Sequence, residues 1–196
     1  MFPDRQEAER LLKEAETMNS GPWGNHSRVV AYSAERIASL SGLDVDKAYV
    51  LGLLHDIGRR YGRSHLKHVS DGYNFMMSLG YDAVAKVCLT HSFDEHPEVK
   101  RFIGNADITD DEKAKLDKAL KEVQIDDYDR LIQLCDAIAG TDRIVDVVER
   151  MSDVKVRYGS YDQQKWDTNL ALKAYFEQKM GRDLYEALEK DSFVLN

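Results

Sequence analysis

Proline occurs at only three positions in 196 residues, 3, 22 and 97, and helix-forming residues fill the stretches between them. Long segments free of proline, with apolar residues recurring three and four apart, read as helices, so the fold class expected is all-α. Pro3 opens a helix over about 3–18 that turns Leu11, Leu12 and Ala15 inward, before the breaker Asn19-Ser20-Gly21-Pro22. A second helix is expected from about Asn25 to Leu40, stopping at Gly42. A third starts after Asp44, a good N-cap, and carries the apolar run Tyr49-Val50-Leu51-Gly52-Leu53-Leu54 into His55 and Asp56. Gly58 and Gly62 flank a basic loop. Further helices are expected over about 64–79, from Asp82 to His91, and over about 110–123, where Thr109-Asp110-Asp111-Glu112 has the spacing of a capping box. The apolar period then predicts one long helix from Asp127 to Met151 and another from Asp162 to Glu189. Segments 94–108 and 152–161 read as irregular, the former long enough to be a lid.

A chain of this length suffices for one domain with a substantial core, and a second would leave too little for the first. A formal net charge of -8 argues against a partner that is a nucleic-acid polymer, because such partners need basic surface to displace counterions. With neither a 20-residue apolar span nor a signal-peptide pattern, no membrane partner is expected and the location expected is cytoplasmic. A homodimer is compatible with these features. Cys88 and Cys135 fall on apolar helical stretches and read as buried thiols, not as a disulfide or a metal motif.

All six histidines lie between His26 and His96. Residues three, four and seven apart share a helix face, which puts His26 with Val29 and Val30, His91 with Val84, Val87 and Cys88, and His68 with Gly72 and Phe75. Asp136 sits among Leu131, Ile132, Leu134, Cys135 and Ile138, far from any expected helix end. A carboxylate buried there must be protonated, paired or bound to a metal. Taken singly, each histidine reads as a satisfied core residue and Asp136 as a hydrogen-bonded acid. Taken together with His55 and Asp56, five helical faces each offer a ligand-type residue to one interior. His65 precedes His68 by three residues and could support a ligand or move a proton, whereas His96 stands in a charged stretch and is expected to be exposed and uninvolved.

The set His26, His55-Asp56 and Asp136 resembles that of the HD-domain superfamily of metal-dependent phosphohydrolases, and His55-Asp56-Ile57-Gly58 looks like its HDIG signature. His68 and His91 are similar in order and spacing to the two further histidines of binuclear members. The likeness spans about residues 24–145 within a single domain over 1–196. It implies a helical fold, about seven or more helices around a metal centre, and hydrolysis of a phosphoester or phosphoanhydride bond. The implied substrate is a small phosphorylated molecule, a nucleotide or a dinucleoside polyphosphate, attacked by a metal-bridging hydroxide. By the same analogy Asp56 would bridge two divalent transition-metal ions, with His26, His55 and Asp136 on one and His68 and His91 on the other. Imidazole and carboxylate ligands suit Fe, Mn, Zn, Co or Ni alike.

Arg59, Arg60, Arg63 and Lys67 put four cations just after the metal pair in an otherwise acidic chain, and Arg143 follows Asp136 by seven residues. These are the expected phosphate-binding residues, since guanidinium groups grip phosphoryl oxygens in pairs. Arg59, Asp56 and His65 are the expected catalytic residues. Two alternatives share the ligand set: a di-iron oxygenase of HD type, and a regulatory module in which the metal only holds the helices together. Trp23, Tyr61, Phe93, Trp166 and Tyr175 are the aromatic residues that could stack on a base.

Overall fold

The structure is a computed structural model and describes residues 1–93, 102 and 106–195. Its described residues form ten α-helices and one 3-10 helix, without strands apart from a lone antiparallel bridge between Ala139 and Ile144. Helix α1 (Arg5–Met18) begins where the Asp4 side chain accepts the Glu7 N–H, two residues after Pro3. Its inward stripe is Ala8, Leu11, Leu12 and Ala15. Helix α2 (Trp23–Ser41) ends on Gly42 in the left-handed region, and α3 (Val45–Leu54) is capped by Asp44 through the Lys47 N–H. In α3, Ala48, Val50, Leu51, Leu53 and Leu54 are all buried, because α1 and α2 cover it from both sides.

The expected basic loop after Asp56 is a 3-10 helix (Ile57–Tyr61), followed by α4 (Lys67–Ser78) and α5 (Asp82–Thr90). Helix α6 (Asp110–Glu122) carries the expected Thr109–Glu112 capping box and closes a small second core of Leu66, Val69, Leu89, Phe93, Leu116 and Leu120. Most of segment 94–108, including His96, lies outside the described residues.

The long helix expected from Asp127 to Met151 is two. Helix α7 (Asp127–Ile138) stops at Ala139, which turns extended, and the chain folds back through Gly140 N–H to Arg143 O (2.8 Å) and Val145 N–H to Ile138 O (2.8 Å). Asp146 then caps α8 (Val147–Tyr158), so residues 152–158 are helical, not irregular. The last expected helix is also split. Gly181, at φ 68°, ends α9 (Gln163–Met180), and Asp183 caps the short α10 (Leu184–Ala187). In both places the apolar period runs on across a break, and the glycine-then-aspartate pair at the junction is the stronger local signal.

Candidate metal centre

Six residues from five parts of the fold meet at one point, with His55, Asp56, His68 and His91 buried and His26 and Asp136 partly exposed. His26 comes from the first turn of α2, His55 from the residue that ends α3, and Asp56 from the step into the 3-10 helix. His68 lies in the first turn of α4, His91 ends α5, and Asp136 is near the end of α7. The His26 and His55 rings lie 5.4 Å apart, His55 and His91 5.0 Å, and His68 and His91 5.2 Å. Three overlapping trios, His26–His55–Asp56, His55–His91–Asp136 and Asp56–His68–His91, each bring one donor atom per residue within 4.8 Å of the others.

The ring orientations share one rule. Nδ1 of each histidine faces a backbone carbonyl: Gly140 O for His26 (3.1 Å), Gly52 O for His55 (2.8 Å), His65 O for His68 and Cys88 O for His91 (3.0 Å). A carbonyl can only accept, so Nδ1 carries the proton; a neutral ring then leaves its Nε2 lone pair pointing into the cluster, while His26, raised by Asp136, carries a second proton on Nε2 that it donates to that carboxylate (3.0 Å). There His68 Nε2 and His91 Nε2 stand 3.1 Å apart, and both approach Asp56 Oδ1, at 3.2 and 3.5 Å. His55 Nε2 and Asp56 Oδ1 are buried without a hydrogen-bond partner. Lone pairs crowded on lone pairs and largely withdrawn from solvent are costly unless a cation lies among them. The donor set and the orphaned atoms therefore fit a metal.

Electrostatics agree with that arrangement. Burial opposes ionisation of Asp56, but Arg59 and the surrounding imidazoles hold its carboxyl well below the usual range; Arg59 Nε reaches Asp56 Oδ2 at 2.5 Å. Burial likewise opposes the charge of Asp136, and the His26 hydrogen bond (3.0 Å) overcomes it and keeps Asp136 ionised. Burial pushes His55 down to about 4, and burial with the Arg59 charge pushes His68 down to about 3, so both stay neutral and able to donate lone pairs. Cys88 and Cys135 are free and buried, with burial raising both thiols.

The cluster is held from behind by a second polar network. The Asp129 carboxylate, buried in the first turn of α7, accepts from Thr90 Oγ1 (2.7 Å) and pairs with Lys86 (2.6 Å), which ties α5 to α7 one residue before His91. Gly58 does the same for α4. A Cβ there would lie 2.0 Å from His68 O and 2.5 Å from Gly72 N, so only glycine lets the 3-10 helix rest against the turn that carries His68.

Five of the six cluster residues, His26, Asp56, His68, His91 and Asp136, line a cavity of about 670 Å³. Of the expected phosphate-binding residues, Arg59 and Arg63 line it, as does His65, whose ring stands edge-on to Tyr158 at 6.2 Å. The others are placed elsewhere. Arg60 is buried on the far side of the 3-10 helix, paired with Glu14 (2.7 Å) and stacked 3.9 Å over Phe75, because successive residues of a 3-10 helix point about 120° apart. Lys67 lines a separate cleft with Tyr61, Asp71 and Asp107. Arg143 is exposed near Glu149, since α7 has already ended and no longer carries it on the face of Asp136. Trp23 and Phe93 line the main cavity, whereas Trp166 packs on Tyr161 (5.8 Å) and the Tyr175 hydroxyl donates to Asp127 (2.8 Å).

Sequence reasoning missed an entire wall. Arg150, Arg157 and Tyr158 of α8 line the cavity, and so do Tyr161, Lys165 and Asn169 at and after the start of α9. Gln133 of α7 joins them, and its position three residues before Asp136 was the one readable signal.

A family model described as the HD domain matches residues 23–141. Among solved structures, the chain is similar to the HD domain of the L. monocytogenes phosphodiesterase PgpH, at 15% identity and a TM-score of 0.48, over 86% of this chain and 97% of that one. No curated protein matches.

Proposed function

The chain belongs to the HD-domain family, and on that premise we propose that it is a metal-dependent phosphohydrolase acting on a small phosphorylated molecule, a nucleotide or a dinucleoside polyphosphate. The observation that carries this reading is the pair of orphaned donors, His55 Nε2 within the cluster and Asp56 Oδ1, whose residue lines a cavity that Arg59 also lines. His26, His55 and Asp136 would hold one ion and His68 and His91 a second, with Asp56 shared; the presence of Asp56 in two of the three trios supports that sharing. Bound there, the ions would supply Lewis acidity at a phosphoryl oxygen and lower the pKa of an attacking water.

The remaining work falls to the chain's own side chains. Arg59 is fixed by Asp56 through Nε, and its Nη1 donates to Ser64 O (3.3 Å). Nη2, without a partner among the described residues, is the donor available to a phosphoryl oxygen. Arg63 at the mouth adds positive charge along the entry route. His65 is the candidate proton donor to the leaving oxygen. Asp107 holds its loop by accepting the N–H groups of His65 (2.7 Å) and Lys67 (2.9 Å). The contact of His65 with Tyr158 narrows the cavity and helps exclude water.

The test is metal analysis of the purified protein, followed by assay of phosphate release from nucleotides and dinucleoside polyphosphates with Fe2+, Mn2+, Co2+ and Ni2+. Asp56→Ala should stay folded, bind less metal and release no phosphate. A wild-type protein that takes up less than one ion per chain after reconstitution and hydrolyses nothing would overturn the proposal.

A further inference from the structure

The cavity carries a concentration of positive charge that its metal-ligand residues do not account for. Its described lining holds two acids, Asp56 and Asp136, both in the metal cluster, against five cations: Arg59, Arg63, Arg150, Arg157 and Lys165. This occurs in a chain of net charge -8. Three of the five come from α8 and the start of α9, beyond the residues that match the family. Arg150 and Arg157 lie seven residues apart and so on one face of α8. Asp153, between them and outside the cavity lining, stands 3.7 Å from Arg150 and 3.0 Å from Arg157. One carboxylate shared by two guanidinium groups orients both and neutralises one, and Lys165 adds its charge beside them while donating to Ser92 O at 2.5 Å. Arg150 is half-buried, so its charge is less hydrated than that of a surface guanidinium. A volume of about 670 Å³ is that of a nucleotide-sized ligand, not of a phosphate ion.

We propose that α8 and the start of α9 form a second anion subsite, with Arg150 as its main donor, which binds a phosphoryl group other than the one being cleaved. The preferred substrate then carries at least two phosphoryl groups, as a nucleoside diphosphate or a longer phosphoanhydride does. This rests on the phosphohydrolase reading above and adds to it the substrate class and the residues that select it.

The test compares metal-loaded wild type, Arg150→Gln, Arg157→Gln and Arg143→Gln. Calorimetric binding of inorganic pyrophosphate should weaken roughly 10- to 100-fold in Arg150→Gln, the loss of one charge-assisted contact, while binding of inorganic phosphate changes little. The exposed Arg157 can be replaced without loss of fold, and its variant should show a smaller loss in the same direction. Arg143→Gln should match wild type. In kinetics, KM for a nucleoside diphosphate should rise by the same factor as the pyrophosphate loss, with p-nitrophenyl phosphate hydrolysis unchanged. Equal losses for phosphate and pyrophosphate, or none for either, would overturn the subsite. The two readings separate cleanly: pyrophosphate bound through Arg150 without hydrolysis of any phosphorylated substrate sinks only the hydrolase, whereas hydrolysis of p-nitrophenyl phosphate with nucleoside diphosphate KM and pyrophosphate binding indifferent to Arg150→Gln sinks only the subsite.

Discussion

Replacing Gly58 by alanine adds one methyl group at the point where the 3-10 helix touches α4. An undisplaced Cβ would lie 2.0 Å from His68 O, 2.5 Å from Gly72 N and 2.9 Å from His68 C, all backbone atoms that no rotamer change can move. Contacts under 3.0 Å are essentially never formed by real Cβ atoms, so the two backbones must part by about 1 Å. Helix α4 has little room to yield, since Gly72 on its next turn already packs within 3.2 Å of Cys88 Sγ on α5, measured from an ideal Cβ. Overpacking a rigid core costs about 1–3 kcal/mol, and a clash confined to backbone belongs at the upper end or beyond. A loss of about 3 kcal/mol is roughly a hundredfold in the folding equilibrium and, for a chain of this size, a fall in Tm of roughly 6–12 °C. The displacement also carries His68 Nε2 away from His91 Nε2 and Asp56, so metal affinity should fall in the protein that remains folded. The assay is thermal and urea unfolding of the metal-free protein, with metal titration of the same samples. Gly80→Ala is the control. Gly80 has φ 77° and nothing within 4 Å of its ideal Cβ, so that variant should lose only the left-handed strain, about 1–2 kcal/mol, and keep full metal affinity. A Gly58→Ala protein with the wild-type midpoint and wild-type metal binding would refute the idea that this contact seats His68.

Three further outcomes follow from the same packing. Arg60→Ala should cost about 2 kcal/mol of stability, less than a fully buried pair because Glu14 is half-exposed, and leave metal content unchanged in the folded protein; loss of metal with no change in unfolding would contradict its placement behind the site. Lys86→Met strands the Asp129 carboxylate and should lower stability by about 3 kcal/mol, part of which the double variant with Asp129→Asn restores; an additive double variant would deny the coupling. The metal-free protein should weaken as pH falls from about 6.5 to about 4, because His55 and His68, lowered by burial, stay neutral in the fold while the unfolded chain takes up their protons. His26 is raised, with burial opposing and Asp136 prevailing, and offsets part of this, while the lowered carboxyls of Asp56 and Asp136 add their own loss only below about pH 4. A urea midpoint at pH 5 equal to or above that at pH 7 would contradict neutral histidines.

The six clustered residues were legible because each interrupts an apolar helical face, and a polar group on such a face has only the interior to look at. His55 and His91 even mark the ends of α3 and α5, where the helix stops and the side chain can turn into the centre. Direction along irregular backbone was not legible. Four consecutive cations after Asp56 look equivalent on paper, but a 3-10 helix sends Arg59 to the cavity and Arg60 into the packing against Glu14 and Phe75. Arg143 was placed by counting seven residues along a helix that ends at Ile138, so the count had no helix to act on.

The α8 wall was hidden for a different reason. Arg150, Asp153 and Arg157 at helical spacing read as a solvated polar face with internal ion pairs, and such a face is indistinguishable in sequence from one that looks across a cavity. What turns it inward is the break at Gly140, where the chain reverses through the Ala139–Ile144 bridge and brings α8 back to the cavity that the histidine and aspartate cluster lines. Had α7 continued to Met151, Arg150 would have stood about 20 Å further along the same axis from Asp136, at 1.5 Å per residue, and the cavity would have lacked its cationic wall. The same reversal that defeated the helix assignment is therefore what sets two kinds of charge facing each other: buried carboxylates and imidazoles suited to metal on one side, and guanidinium groups suited to phosphate on the other.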